Sequence, residues 1–75
     1  MYIVTEIQKN GDQLSHLVTT HSTRNEAEGQ FHQILAAAAV SNVPIHAAAM
    51  LSEEGFPLRN ECYKHPDAPA EEPLA

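Results

Sequence analysis

The chain has 75 residues and a mass of 8.2 kDa, which allows one domain with one small hydrophobic core. A domain of this size buries only about 60% of the surface that its unfolded chain exposes, so we expect it to be completed by self-association. Four Lys and Arg residues against ten Asp and Glu residues give a net charge of -6. This balance argues against a protein that coats nucleic acid or an anionic membrane.

The single cysteine and the start of the chain bear on the compartment. Cys62 has no second cysteine with which to form an intramolecular disulfide, which suits a reducing environment. No apolar run approaches the length of a membrane span, and the first residues lack the basic and apolar regions of a signal peptide. We therefore expect a cytoplasmic protein.

Two strands open the sequence. Residues 2–9 and 12–20 are rich in β-branched and apolar residues, and Asn10-Gly11 between them is a dipeptide favoured in type I′ turns. This loop predicts a hairpin with the pairs Lys9 with Asp12, Ile7 with Leu14, Thr5 with His16 and Ile3 with Val18.

Both faces of this hairpin are partly apolar. One face would carry Ile3, Ile7, Leu14 and Val18, and the other Tyr2, Val4 and Leu17. A single helix covers only one face of a sheet. We expect the set containing Tyr2 and Val4 to be the uncovered one and to pack against a second subunit.

A helix is predicted from about Thr23. Thr23 and Glu26 have the spacing of a capping box, and the apolar residues that follow recur on one helical face: Ala27, Phe31, Ile34, Leu35 and Ala38. The helix should end near Val40-Ser41, with Asn42 in the left-handed conformation before Pro44. Residues 36–40 are apolar all round, which favours a neighbouring helix or subunit there.

A second hairpin is predicted from residues 45–52 and 56–65, joined by Glu53-Glu54-Gly55 with the glycine in a left-handed bulge position. The predicted register pairs Met50 with Leu58, Ala48 with Asn60 and His46 with Cys62, and it places Ala49 with Arg59 and Ile45 with Tyr63 on the opposite face. Pro57 lacks a backbone donor, which predicts an edge strand.

These elements predict an α+β fold in the order β-β-α-β-β, with residues 1–65 as a single domain. Residues 66–75 contain three prolines, three acidic residues and one large apolar residue. This composition cannot build a core, so we expect a disordered acidic tail.

Residues capable of catalysis are few. The five histidines are scattered, and His46 with Cys62 is the best available pair for a metal or for a nucleophile and its base. Two ligands do not make a metal site, and no glycine-rich turn offers an oxyanion hole. A semi-buried cross-strand pair is the simpler interpretation, so we predict no enzyme, no cofactor and no metal.

A binding surface is the remaining possibility. Arg59 would lie among Ala47 and Ala49 beside Tyr63, giving a shallow apolar floor with one anion-binding guanidinium and one aromatic ring. The alternative is that Arg59 only pairs with Glu61. The predicted ligand-binding residues are Arg59, Tyr63, Arg24 and His46.

Residues 1–65, including Met1–Ile7, Leu35–Ser41 and Glu53–Leu58, resemble small uncharacterised proteins carried by phages and prophages of gut bacteria. The resemblance implies either a factor that interferes with a bacterial defence or a part of the virus particle, and for a phage-encoded chain the expected cytoplasm is that of the host cell. Together with the residues, it leads us to expect a non-enzymatic homo-oligomer that sequesters a small anionic, nucleotide-like ligand or blocks a host defence protein. The alternative expectation is a structural or assembly component of a virion.

Overall fold

The computed structural model describes residues 1–65, which form four strands and one helix. In chain order they are β1 (Tyr2–Asn10), β2 (Gln13–His21), α1 (Arg24–Val40), β3 (Ile45–Ser52) and β4 (Pro57–Lys64). The predicted α+β class and the order β-β-α-β-β are confirmed. The prediction of a disordered tail concerns residues 66–75, which lie outside the described residues.

The strands form one antiparallel sheet in the order β2-β1-β3-β4. Both hairpins are formed, and they join through the pairing of β1 with β3. This leaves β2 and β4 at the two edges of the sheet. Pro57 opens the edge strand β4, as its missing backbone donor predicts.

The helix packs on the sheet face that carries Val4, and this corrects the expected packing. Val4, Ala48 and Met50 are almost fully buried against the helical stripe of Ala27, Phe31, Ile34 and Ala38. The set containing Tyr2 and Val4 is therefore the covered one. The choice depends on β3, because pairing with β1 places Ala48 and Met50 on the same face as Val4.

The helix begins as predicted and ends differently. The Thr23 hydroxyl accepts a hydrogen bond from the backbone N–H of Glu26 at 3.2 Å, which satisfies one free donor of the first turn. At the other end, Ser41 is extended and no residue other than glycine has a positive φ, so the prediction of a left-handed Asn42 is wrong for the described chain. The carbonyl of Ala38 in the last turn accepts the backbone N–H of Ser41 at 3.3 Å and also contacts Nε2 of His65 at 2.8 Å.

The first hairpin turns one residue later than predicted. Asn10 pairs with Gln13, so Gly11 and Asp12 form the loop, and only Gly11 has a positive φ. A loop with glycine at its first position fits a type II′ turn. The strand register is displaced by two residues from the prediction, and an even displacement leaves every side chain on its predicted face.

The second hairpin contains a β-bulge that the predicted register lacks. Next to the loop, Leu51 pairs with Pro57 as predicted, but Met50 then pairs with Arg59, so Leu58 is an extra residue in β4. Gly55 has a φ of 92°, which confirms the left-handed loop position. Because the shift is one residue, every β4 side chain beyond the bulge points to the face opposite to the predicted one.

Within residues 1–65, α1 is the only helix, and it is too short and too polar to cross a membrane.

Candidate functional site

Three bases converge on the carboxylate of Glu28, one turn into the helix. Arg59 donates a hydrogen bond from Nε to Glu28 at 2.8 Å, and Arg24 approaches the same oxygen from Nε at 3.4 Å. His32 Nε2 lies 3.4 Å from the second oxygen. The hydrogen bond from Arg59 is the main reason that the pKa of Glu28 lies below its usual value, with Arg24 adding to the effect.

The structure therefore corrects the predicted surroundings of Arg59. It does not lie among Ala47 and Ala49, because the bulge places it opposite Met50 on the helix-covered side of the sheet. Its partner there is Glu28, and the alternative of a pair with Glu61 is not formed. Arg24 and Arg59, predicted separately as anion contacts, are brought together, but with a carboxylate between them.

Tyr63 and His46 are also brought together, which the predicted register does not do. They are directly opposite in neighbouring strands, and the Tyr63 ring is parallel to that of His65 at a centroid distance of 6.4 Å. Cys62, the predicted neighbour of His46, faces Ala47 on the other side of the sheet. The pair of His46 with Cys62, on which the metal and nucleophile hypotheses depended, does not exist.

His46 instead contacts a carboxylate of the central strand. Its Nε2 lies 2.6 Å from Oε2 of Glu6, and the His46 and Glu6 side chains are only 5% and 19% exposed. The same Oε2 accepts a hydrogen bond from the side-chain amide of Gln8 at 3.0 Å. These three polar groups fill the part of the helix-covered face that lies beyond the apolar core.

The second ring nitrogen of His46 fixes the tautomer. Nδ1 is buried and has no hydrogen-bond partner in the described chain. A buried N–H without an acceptor is costly, so the favourable arrangement carries the proton on Nε2, where it is donated to Glu6. His46 in this state is oriented by Glu6 but has no exposed nitrogen with which to act on a bound molecule.

The surface beside this pair is a shallow hollow of about 170 Å³ between β1 and β2, lined by Glu6, Gln8, Ser15, His16 and Leu17. Its lining includes the Glu6 carboxylate, the Ser15 hydroxyl and the His16 imidazole, and Glu6 is already bound by Gln8 and His46. Among residues 1–65, no group of three or more His, Cys, Asp or Glu side chains could hold a metal ion.

The larger feature is the side of the sheet that α1, the one helix of residues 1–65, does not cover, which we call the open face. Strand alternation places these residues on it: Ile3, Thr5, Ile7 and Lys9 of β1; Leu14, His16, Val18 and Thr20 of β2; Ile45, Ala47, Ala49 and Leu51 of β3; Asn60, Cys62 and Lys64 of β4. Leu14 and Val18 are 65% and 51% exposed. Eight of these fifteen residues are aliphatic, and exposed apolar side chains grouped on one face often mark an interaction site.

Charge is distributed unevenly over the open face. None of the acidic residues in strands β1 to β4 lies on it, since Glu6 and Glu61 belong to the helix-covered side. Lys9 and Lys64 both lie on it and both flank Ile45, at the same end of the sheet. The open face therefore combines an apolar centre with a basic end, although the whole chain has a net charge of -6.

Two of these arrangements were missed in the sequence for different reasons. The spacing of Arg24, Glu28 and His32 is four residues each time, and this spacing by itself predicts contacts along one helical face. The pair of Glu6 with His46 has no such signal, because it depends on β1 pairing with β3 across 40 residues of chain.

Comparisons of the chain with protein-family models, with curated proteins and with solved structures found no match.

Proposed function

We propose that this chain is a non-enzymatic binding protein that attaches to another protein through the open face of its sheet. The single observation that carries the proposal is the open face itself, which is apolar at its centre, carries none of the acidic residues of strands β1 to β4 and is bordered at one end by Lys9 and Lys64. Burying such a surface is worth about 25 cal/mol per Å² of apolar area.

The chemistry of the open face defines the partner. A partner with an apolar patch bordered by carboxylates would bury that patch against the centre of the open face. Its carboxylates would pair with Lys9 and Lys64, and this charge complementarity would favour association. The resemblance to phage proteins makes a host defence protein the class of partner that we propose. Attachment there would block the partner by occupying its surface, with no chemical step.

The test compares two variants that each add one glutamate. Ala47→Glu places a carboxylate at the centre of the open face, and Gln33→Glu places one on the exposed side of the helix. Each purified variant and the parent are immobilised and exposed to a bacterial extract, and captured proteins are quantified by mass spectrometry. We expect the parent and Gln33→Glu to capture the same partner, and we expect Ala47→Glu to capture at least tenfold less of it.

Equal capture by the two variants would contradict the proposal, as would the absence of any partner that the parent enriches. Circular dichroism of both variants checks that the fold is retained. Ala47 is only half-buried and points away from the core, so the glutamate can extend into solvent.

A small anionic ligand is a second candidate function, favoured by the convergence of Arg24 and Arg59 near the start of the helix. The two guanidinium groups carry two positive charges against the one negative charge of Glu28. The side chains of Arg24 and Arg59 are both about half exposed. A phosphate group would compete with Glu28 for them. This candidate is the weaker one, because the site already contains its own carboxylate.

Calorimetric titration with ATP tests this candidate. Glu28→Gln frees both guanidinium groups and should tighten ATP binding at least fivefold, whereas Arg59→Ala should abolish it. Arg24→Ala should weaken it less, because Arg24 is the more distant of the two from Glu28. If neither the parent nor Glu28→Gln binds ATP, a small nucleotide-like anion is excluded as the ligand.

A further inference from the structure

The two edges of the sheet are protected to very different degrees. β4 carries a proline at its start, a bulge at Leu58 and the charged residues Arg59, Glu61 and Lys64. Each of these devices hinders the addition of another strand. β4 is therefore an edge that resists pairing.

β2 has none of these devices. It spans nine residues, Gln13–His21, with no proline, no glycine, no acidic residue, no lysine and no arginine, and it pairs with β1 without a break in register. No strand of the described residues pairs with its outer side, which therefore presents unpaired backbone donors and acceptors along the strand. A long, regular and uncharged edge is a template for another strand.

We propose that β2 pairs antiparallel with β2 of a second copy of this chain, around a two-fold axis that passes between the two Leu17 residues. The inference goes beyond the proposed function and does not depend on the partner of the open face. It names the surface through which the expected homo-oligomer forms.

The sequence of β2 is self-complementary in this register. Leu17 is the middle residue of the strand, and it is 58% exposed within the single chain. Reversal about this residue gives the pairs Leu17 with Leu17, His16 with Val18, Ser15 with Thr19, Leu14 with Thr20 and Gln13 with His21. No pair brings like acidic or basic residues together, and the apolar and hydroxyl pairs are of the kind that stabilises antiparallel strands.

The symmetry also fits the rest of the molecule. An axis perpendicular to the sheet leaves both helices on one side and joins the two open faces on the other into one eight-stranded surface. Self-pairing thereby removes the unprotected edge and leaves the open face free. The exposed Leu17 gains an apolar neighbour that the single chain does not provide.

Cysteine cross-linking tests the register. In a Cys62→Ser background, Leu17→Cys places two thiols across the axis, within the distance that a disulfide requires. Ser15→Cys is the matched control on the same face of the same strand. Its two copies would lie four residues apart, roughly 14 Å at ~3.4 Å per residue, which is too far for a disulfide.

We expect mild oxidation to convert Leu17→Cys to a covalent dimer at least ten times faster than Ser15→Cys at equal concentration. Light scattering of the parent at 50 µM should give twice the mass of the 8.2 kDa chain. Equal cross-linking at the two positions, or a parent that remains monomeric, would overturn the proposal. Because neither readout involves a partner or ATP, failure here is distinguishable from failure of the proposed function.

Discussion

Glu28 shows how one carboxylate can determine what the neighbouring bases are able to bind. Three of the basic side chains in the described residues lie within 3.4 Å of it. Arg24 and Arg59 are two of the four Lys and Arg residues in the chain. Any anion that uses them must first compete with Glu28.

The pKa of Glu28 is the measurable signature of this arrangement. Its pKa lies below the ordinary value of 4.5, first because of the hydrogen bond from Arg59. A carboxyl whose pKa is lowered by folding stabilises the folded state above its unfolded pKa, and this contribution is lost as the pH falls through the folded pKa. The stability that depends on Glu28 is therefore present at neutral pH, begins to fall near pH 4.5 and is lost as the pH falls further through the lowered folded pKa.

We predict that Arg59→Ala raises the pKa of Glu28 toward 4.5 and that Arg24→Ala raises it less, because Arg59 makes the stronger contact. NMR titration of the Glu28 carboxyl carbon measures both shifts. An equal shift in the two variants, or a larger one for Arg24→Ala, would show that the hydrogen bond from Arg59 is not the main cause.

His46 is a residue whose surroundings changed its interpretation. The predicted pairing with Cys62 suggested that His46 is a metal ligand or a base. In the structure its Nε2 contacts Glu6 and its Nδ1 is buried, so His46 is a polar group inside the packing between the sheet and the helix. Its place in the predicted ligand-binding set remains a prediction.

At the scale of elements, the loop between β3 and β4 sets the geometry of the second hairpin. Gly55 has a φ of 92°, and its backbone N–H donates to the carbonyl of Ser52 at 2.9 Å. The N–H of Ser52 in turn donates to the carbonyl of Phe56 at 2.9 Å. The register next to the loop is therefore held by backbone contacts that require a left-handed residue at position 55.

We predict that Gly55→Ala destabilises the fold by about 1–2 kcal/mol, the cost of a left-handed conformation for a residue with a Cβ. No atom lies within 4 Å of the added methyl group, so the cost is conformational and not a clash. The matched control is Gly29→Ala on the exposed side of the helix, which also has no atom within 4 Å.

Gly29→Ala should stabilise the protein by about 0.5–1 kcal/mol, because alanine is the better helix former. Urea unfolding of the two variants measures both changes. A loss of stability in Gly29→Ala, or none in Gly55→Ala, would contradict the conformational argument.

At the scale of the whole molecule, one helix on a four-stranded sheet makes the two sides of the sheet different. The covered side contains the core, the Glu6–His46 pair and the Glu28 cluster, and the other side is the open face. The edge β2 is a third surface, perpendicular to both. The proposed attachment to a partner and the proposed self-pairing use different surfaces, so both can occur in one assembly.

The apolar end of the helix remains an open expectation at this scale. Val40 is 86% exposed and the neighbouring Ala36, Ala37 and Ala39 are exposed as well. Within residues 1–65, no second helix covers them. A contact with another subunit, expected from the sequence, stays a prediction.

The sequence by itself determined the elements of this protein. Hydrophobic spacing, the cap at Thr23 and the two glycine-containing loops depend on residues close together in the chain, and they predict two hairpins around one helix. The core stripe of the helix and the edge position of Pro57 follow from the same local patterns. These features are correct because their causes act over a few residues.

Only the tertiary structure decided which surfaces those elements present. The two faces of the first hairpin are similarly apolar, so the covered face was set by β1 pairing with β3, a contact between distant segments. A one-residue bulge at Leu58 moved Arg59 from the predicted alanine floor to Glu28, because strand side chains alternate with a period of two. Candidate sites in a sheet depend on register, and register depends on contacts that no short stretch of sequence contains.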